Sequence, residues 1–394
     1  MKYKIKDIAE FNTKSLSKKS MPTVIHYLDT ANITSGIIDQ IVILDSTNDK
    51  IPSRARRIVE ENDIIYSTVR PNQKHFGFIT KEISHVIVST GFTVIRPNPE
   101  YVNPYYLYIY LTLDMVTNYL QGVAENSTTA YPSIKPSDIG ELEIELPSLK
   151  QQDYIADLIR SINLKIKNNL STVNNLEQLS QTLFKHWFID FEFPNELGEP
   201  YKSSGGEMVE SELGKIPSIF KCGTIKDFCD LKYGKALTKK NRIPGAYPVY
   251  GSGGLTGTHK EYLIEGPGVI IGRKGSIGTL YLEYNNFYPI DTVFYTESKD
   301  YTPMFLYLLF KQYDFTKANN DSAVPGLNRD FVYNTKAVVP DLKIVNKFKG
   351  IITPIYETIR KLSEENSILE ELRDTLLPKL LSGEIKIPDE VVVD

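Results

Sequence analysis

The stretch that decides the fold is Gln151–Phe188, QQDYIADLIRSINLKIKNNLSTVNNLEQLSQTLFKHWF. Ile155, Ile159, Ile162, Ile166, Val173, Leu176, Leu183 and Trp187 recur at alternating steps of four and three, with Asn169 and Ser180 in the two remaining slots. A repeat near 3.5 residues is a coiled-coil seam rather than the stripe of a globular surface helix. A helix of this length is about 57 Å long, well beyond the usual three turns. A second stripe, Phe348, Ile352, Ile355, Ile359, Leu362, Leu369, Leu376 and Leu380, has Asn366 and Arg373 at core slots. The two stripes are copies. Pro147 of ELPSLK maps onto Pro340 of VVPDLK, Ile155 onto Phe348, Leu176 onto Leu369 and Thr182 onto Thr375, all at an offset of 193.

The duplication extends outward. Pro132 of TAYPSIKP answers Pro325 of SAVPGLNRD at the same offset, whereas NPYYLYIYL from Asn103 answers TPMFLYLLF from Thr302, and GFTVI near Thr93 answers IDTVF near Thr292, at 199. Near the starts of the copies, IKDI at Ile5 answers IKDF at Ile225. Register is rigid in the helices and loose in what precedes them, as expected of a constant scaffold carrying variable domains. The fold class this predicts is α+β: two α/β domains separated by a long antiparallel two-helix coiled coil, with an internal pseudo-two-fold repeat. Equivalent helices related by an internal two-fold form one self-complementary interface, which favours the antiparallel pairing and a domain at each end of a rod. The expected boundaries are 1–150 for the first domain, 151–188 for its helix, 189–215 for a Pro-, Gly- and Ser-rich linker, 216–342 for the second domain, 343–381 for the second helix and 382–394 for a tail.

Apolar residues beside the seam widen each helix face: Leu158, Leu170, Leu179 and Phe184 in one, Ile351, Leu372 and Leu377 in the other. A two-stranded coil buries little beyond the a and d positions. The extra width implies either further helices from another subunit or docking onto the chain's own domains. Asn169 and Asn366 occupy non-equivalent slots, and polar core residues of this kind fix register.

Composition narrows the function. With 394 residues, 41% hydrophobic and 24% charged, the chain has room for two or three cored domains. No apolar run approaches a membrane span, the start does not read as a signal peptide, and two cysteines are too few for a disulfide framework or a zinc site; a cytoplasmic, non-membrane protein is expected. The net charge of −4 does not exclude nucleic acid, because the local field decides. From Lys221 to Arg242 seven basic residues face only Asp227 and Asp230.

Each domain reads as strands (DIIYSTV, SHVIVS and GFTVIRP; GVIIGR, GTLYLEY and DTVFYTE) followed by one Pro-initiated helix. Asn103-Pro104-Tyr105-Tyr106 approaches an amino-methyltransferase motif, but its counterpart Thr302-Pro303-Met304-Phe305 cannot do that chemistry, so a helix start is the better reading. Gly251–Gly254 and Gly272–Gly278 match neither phosphate-loop pattern and read as sheet-edge turns. No catalytic or metal set emerges. A binding role fits better. STVRP places Ser67 and Arg70 at a strand end, followed by Asn72, Gln73 and Lys74, and GRKGS places Arg273, Lys274 and Ser276 at the corresponding end of the second domain. Such side chains on glycine-punctuated loops suit base-edge and phosphate contacts. On the same chemistry the candidate DNA-binding set takes in Arg54, Arg56, Lys135, Lys239, Lys240, Arg242, Asn328 and Arg329.

With PSLKQQDYIADLI opening the first helix, YPVYGSGGLTG in the second domain and LLPKLLSGEI (Leu376–Ile385) at the end, the whole chain resembles the DNA-specificity (S) subunits of type I restriction–modification systems. The resemblance implies two target-recognition domains, each reading one half of a bipartite, asymmetric site on double-stranded DNA, with the helices as the ruler between them. It implies two methyltransferase (M) subunits as partners, bringing S-adenosylmethionine, and translocase–nuclease (R) subunits using ATP and Mg, the chain itself being non-catalytic and binding none of these cofactors. A methylation-only or phage-defence specificity subunit and a protein-binding coiled-coil adaptor are the rival readings.

Overall fold

The computed structural model describes residues 1–17, 21–126, 132–317 and 326–387; Pro325 and the end of the tail lie outside them. The chain resolves into two compact units, Met1–Ile166 with Ile368–Asp394, and Lys167–Ser367. Each long helix contributes to both.

The first unit begins by clipping its start to its end: Lys2–Lys4 pairs antiparallel with Glu143–Glu145, the strand leading into the first long helix. A four-stranded antiparallel sheet runs in the order Ala9–Phe11, Phe92–Pro97, Ile64–Ser67, Phe76–Phe78. A second sheet, ordered Val42–Asp45, Val24–Leu28, Ile87–Ser89, Ala55–Ile58, includes one parallel pairing. The second unit repeats the plan. Lys221–Thr224 pairs antiparallel with Lys336–Val339, and its main sheet runs Asp230–Tyr233, Val293–Glu297, Gly268–Gly272, Leu280–Glu283. Both main sheets therefore place their last strand in sequence beside their first, so the duplication read in sequence is a duplication of topology.

The duplicated Pro-initiated helices start as their sequences require. Asn103 Oδ1 accepts from the Tyr105 and Tyr106 amides at 2.8 and 3.0 Å, and Thr302 Oγ1 accepts from the Phe305 amide at 3.3 Å. Both are N-caps ahead of Pro at the first turn. The run Asn103–Leu120, read as one helix, is two in the first unit, Pro104–Leu111 and Asp114–Glu125, and each unit adds a further short helix, Pro136–Gly140 in the first and Arg329–Asn334 in the second. The break falls at Thr112-Leu113, where Thr112 Oγ1 turns back to Ile109 O at 3.0 Å.

The long helices are Leu149–Phe188 and Leu342–Leu381, 40 residues each. Ser148 and Gln151 form a reciprocal capping box at the start of the first, with Ser148 N donating to Gln151 Oε1 at 3.2 Å and Gln151 N to Ser148 Oγ at 3.3 Å. Gly383, at φ +72°, ends the second in the left-handed conformation glycine tolerates. Pro354 and Pro378 lie inside the second helix, each removing one backbone donor.

In the first unit Ile155, Ile159, Ile162 and Ile166 are buried in one core with Leu380, against which Leu369 and Leu376 also pack. In the second unit Trp187, Phe348, Ile352 and Ile359 are buried together, with Val173, Leu176, Leu183 and Ile355 packed on them. Leu362 is half-buried. Within each unit, then, the beginning of one long helix meets the end of the other, which is antiparallel packing. Of the residues flanking the seam, Phe184 is buried in the second unit's core and Leu158 and Leu377 pack on the first's, whereas Leu170, Leu179, Ile351 and Leu372 are exposed.

The stretch read as a linker is anchored rather than free. Phe191 and Phe193 are buried in the second unit's core, and Phe193 stacks on Tyr201 and Phe220 at 4.6 and 5.0 Å between centroids. Composition flagged its turns, but two aromatic residues supply the burial that holds it. Among the described residues no helix is long and apolar enough to cross a membrane.

Candidate DNA interface

The two strand ends singled out in sequence are built alike. In the first unit the chain leaving Ile64–Ser67 bridges Val69 to Ser133, the Ile134 amide donates to Thr68 O at 2.8 Å, and the Arg70 amide to Pro132 O at 3.0 Å. In the second unit the chain leaving Gly268–Gly272 bridges Lys274 to Gly326, and the Leu327 amide donates to Arg273 O at 2.8 Å. Each unit thus joins the loop after a central strand to the segment before its last short helix.

This junction gathers Arg70, Gln73, Lys74 and Lys135 in the first unit. Arg70 and Lys74 take left-handed backbone, φ +48° and +55°, strained for non-glycine residues. Buried Pro71 anchors the turn between them, and Arg70, Gln73 and Lys135 are exposed. Lys74 Nζ pairs with Asp114 at 2.6 Å, and the Asn72 amide donates to Gln121 Oε1 at 3.2 Å, so the Asp114–Glu125 helix braces the turn. Arg54 reaches the same neighbourhood through the loop between strands: Thr90 N donates to Arg54 O, and Thr68 N to Gly91 O, both at 2.8 Å. Arg56 lies on Ala55–Ile58, with its Nη1 buried and unpartnered.

Ser67 does not belong to a reading surface. It is 2% exposed, and its Oγ donates to Val69 O at 3.0 Å and accepts from the Val69 amide at 3.2 Å. A hydroxyl at a strand end closes a local turn readily, and here it does that. The Asn328 side chain is likewise engaged, its Oδ1 accepting from the Asp330 and Phe331 amides at 2.7 and 3.4 Å.

In the second unit Arg273 and Arg329 hold their guanidinium carbons 5.0 and 5.2 Å from the ring centre of Tyr233, and Arg329 also lies 5.8 Å from that of Tyr333. Lys274 pairs with Asp291 at 3.6 Å, and Ser276 is exposed beside it. The glycine loops are turns, as read: Thr279 Oγ1 donates to Ser252 O at 2.6 Å, tying the Gly251–Gly254 turn to Gly272–Gly278. Gly278, at φ +73°, has no room for a Cβ, which would fall 2.8 Å from the Phe315 backbone. Arg242 Nη1 donates to Thr256 O at 2.6 Å in the adjoining hairpin. Lys239 and Lys240 are exposed on the single turn Lys239–Asn241.

The buried, unpartnered side-chain atoms include nitrogens of Arg56, Arg57, Arg242, Arg273 and Arg329. Four of these five arginines were singled out from sequence; Arg57 was missed, as were Tyr233 and Asp330. The basic run around Tyr233 was the available signal, since a ring among cations is a stacking platform. Burial pushes the Cys229 thiol up to about 12. Among the described residues no three or more His, Cys, Asp or Glu side chains gather as a metal site.

The sequence pattern of the type I restriction modification DNA specificity domain matches residues 1–178 and 217–373. The chain is 24% identical, over 97% of its length and 99% of the relative's, to the type I restriction enzyme HindI specificity subunit of Haemophilus influenzae. It is 24% identical, over 84% and 80%, to the MjaIX specificity subunit of Methanocaldococcus jannaschii. The crystal structure of the type I restriction–modification S subunit from M. genitalium is similar in fold, with a TM-score of 0.63, 18% identity, and 96% and 95% of the two chains covered. With a copy of the domain in each half of the sequence and the same junction built in each unit, the chain belongs to the type I restriction–modification DNA specificity family.

Proposed function

We propose that this chain is the sequence-specific DNA-recognition subunit of a type I restriction–modification complex, each unit reading one half of a bipartite, asymmetric site. The observation that carries the reading is the repeated junction: the same backbone arrangement presents different side chains in the two units, Arg70, Gln73 and Lys135 in one, Arg273, Lys274 and Arg329 in the other. A constant frame with unlike side chains reads unlike half-sites. The exposed Leu170, Leu179, Ile351 and Leu372 are apolar ground on which two methyltransferase subunits would seat. S-adenosylmethionine would belong to those subunits, ATP and Mg to translocase–nuclease subunits, and the assembly would act in the cytoplasm. The helix pair would then set the spacer between half-sites.

The test is single-molecule sequencing of host DNA with and without this chain. The expected result is a split methyladenine motif that requires the chain, with exchange of residues 1–150 for another recognition domain altering one half only. A swap that altered both halves would refute the modular reading.

A further inference from the structure

A cleft of about 350 Å³ in the second unit is lined by Tyr233, Arg273, Gly326, Asn328, Arg329 and Asp330. We propose that it reads one G·C base pair of the half-site bound by this unit, Arg329 and Arg273 donating to guanine and Asp330 accepting from the cytosine amine. The inference rests on the DNA-recognition reading and adds the identity of the base pair.

The two guanidinium groups are set before any ligand arrives. Tyr233 is 49% exposed and fixes both by stacking, while Arg273 Nη2 donates to Asp291 O at 2.8 Å. A planar fork held on a ring gives up little rotamer freedom when it binds. The donors are rigid and adjacent, as base reading requires.

Chemistry then selects the base pair. In the major groove guanine offers two acceptors, O6 and N7, and cytosine one donor, N4. Arginine forks match the first and a carboxylate the second. Adenine in the guanine's place fails twice, because its amine would face arginine and the thymine O4 would face Asp330, and thymine there offers arginine O4 alone, with a methyl group where the fork needs a second acceptor. Asparagine, the usual reader of adenine, is present as Asn328, but its Oδ1 already caps the Arg329–Asn334 turn. Sequence-blind phosphate contacts are better served by the lysines around the cleft, Lys274 and Lys226.

The experiment uses the full chain assembled with its methyltransferase subunits, selecting bound duplexes from a randomised pool. For Arg329→Met and Arg273→Met, which remove the donors, discrimination at one G·C position should fall by about 5- to 150-fold, with the first unit's half-site unchanged. Asp330→Asn should relax the same position. A uniform loss across all sequences with a shallower salt dependence would make these phosphate contacts and overturn the proposal, as would an unchanged motif. Should the methionine variants unfold, Asp330→Asn, which removes no ring contact, decides alone. If the wild-type complex selects no split motif, the recognition reading itself falls; if it does and only the variants behave as wild type, this inference alone falls.

Discussion

Asn169 Nδ2 donates to Asn366 Oδ1 at 2.8 Å, and both residues are buried where the long helices meet in the second unit. Asn169 also donates to Glu365 Oε2 at 2.8 Å. Read as sequence, the two asparagines occupy non-equivalent slots of the repeat; antiparallel packing brings those slots face to face. A polar pair inside an apolar seam is satisfied in one register only, and a slip of a single heptad would separate the two amides.

Replacing one partner should therefore hurt more than replacing both. Asn169→Leu is expected to lower stability by about 1–3 kcal/mol, because it leaves Asn366 buried with reduced pairing. The double change Asn169→Leu with Asn366→Leu should recover most of that loss while weakening register. Urea unfolding measures the first effect, and disulfide trapping between cysteines placed along the two helices measures the second. Equal losses in the single and double variants would argue against the pair as a register device.

Phe348 is the aromatic hub of the second unit. Its ring centre lies 5.4 Å from Trp187, 5.0 Å from Phe188 and 6.0 Å from Phe184. Phe348→Ala should cost about 3–5 kcal/mol, the range for emptying a large buried aromatic site, and Phe348→Leu considerably less. Thermal unfolding of the full chain gives both values. An alanine variant within 1 kcal/mol of wild type, a threshold well below the range for such sites, would mean the site collapses without loss.

The start of the chain carries a pH-sensitive clasp. Hydrogen bonds from Lys4 first and Lys6 second hold Glu141 well below the usual carboxylate range, at about 2. A carboxylate whose pKa is depressed in the folded state stabilises fully above its unfolded value, near 4.5, and loses that contribution as pH falls towards 2. All three side chains are about half exposed, so solvent and salt keep the effect small. Glu141→Gln should lower the melting temperature slightly at pH 7, and the difference from wild type should vanish near pH 2. A difference that persists or grows in acid would contradict the assignment.

The helices were legible because they are long: five heptads of apolar spacing outweigh any local ambiguity, and duplication supplied a second reading of the same signal. The extra helix after Thr112 was not, since an apolar run passing into DMVTNYL has no proline or glycine to mark the break. At the candidate site, residue chemistry singled out the arginines because charge on glycine-rich loops is visible in sequence. It failed at Ser67 and Asn328 for one physical reason. Short polar side chains at strand ends and helix starts satisfy their own backbone first, and only the fold reveals which of them are already committed.

The proposed ruler role of the helices has a sharper consequence than a change in affinity. Adding one heptad to each long helix, on matched sides of the Asn169–Asn366 pair, keeps the seam in phase and lengthens the pair by about 10.5 Å. At about 3.4 Å per base pair that is roughly three base pairs, so the methylated motif should keep both half-sites and widen its spacer by that amount. A two-residue insertion in each helix should behave differently, because it turns the apolar stripe by about 200°, out of the seam, and should abolish assembly instead of resizing the target. Motif sequencing distinguishes the two. If the heptad variant kept both half-sites with the original spacer, something other than these helices would be measuring the gap.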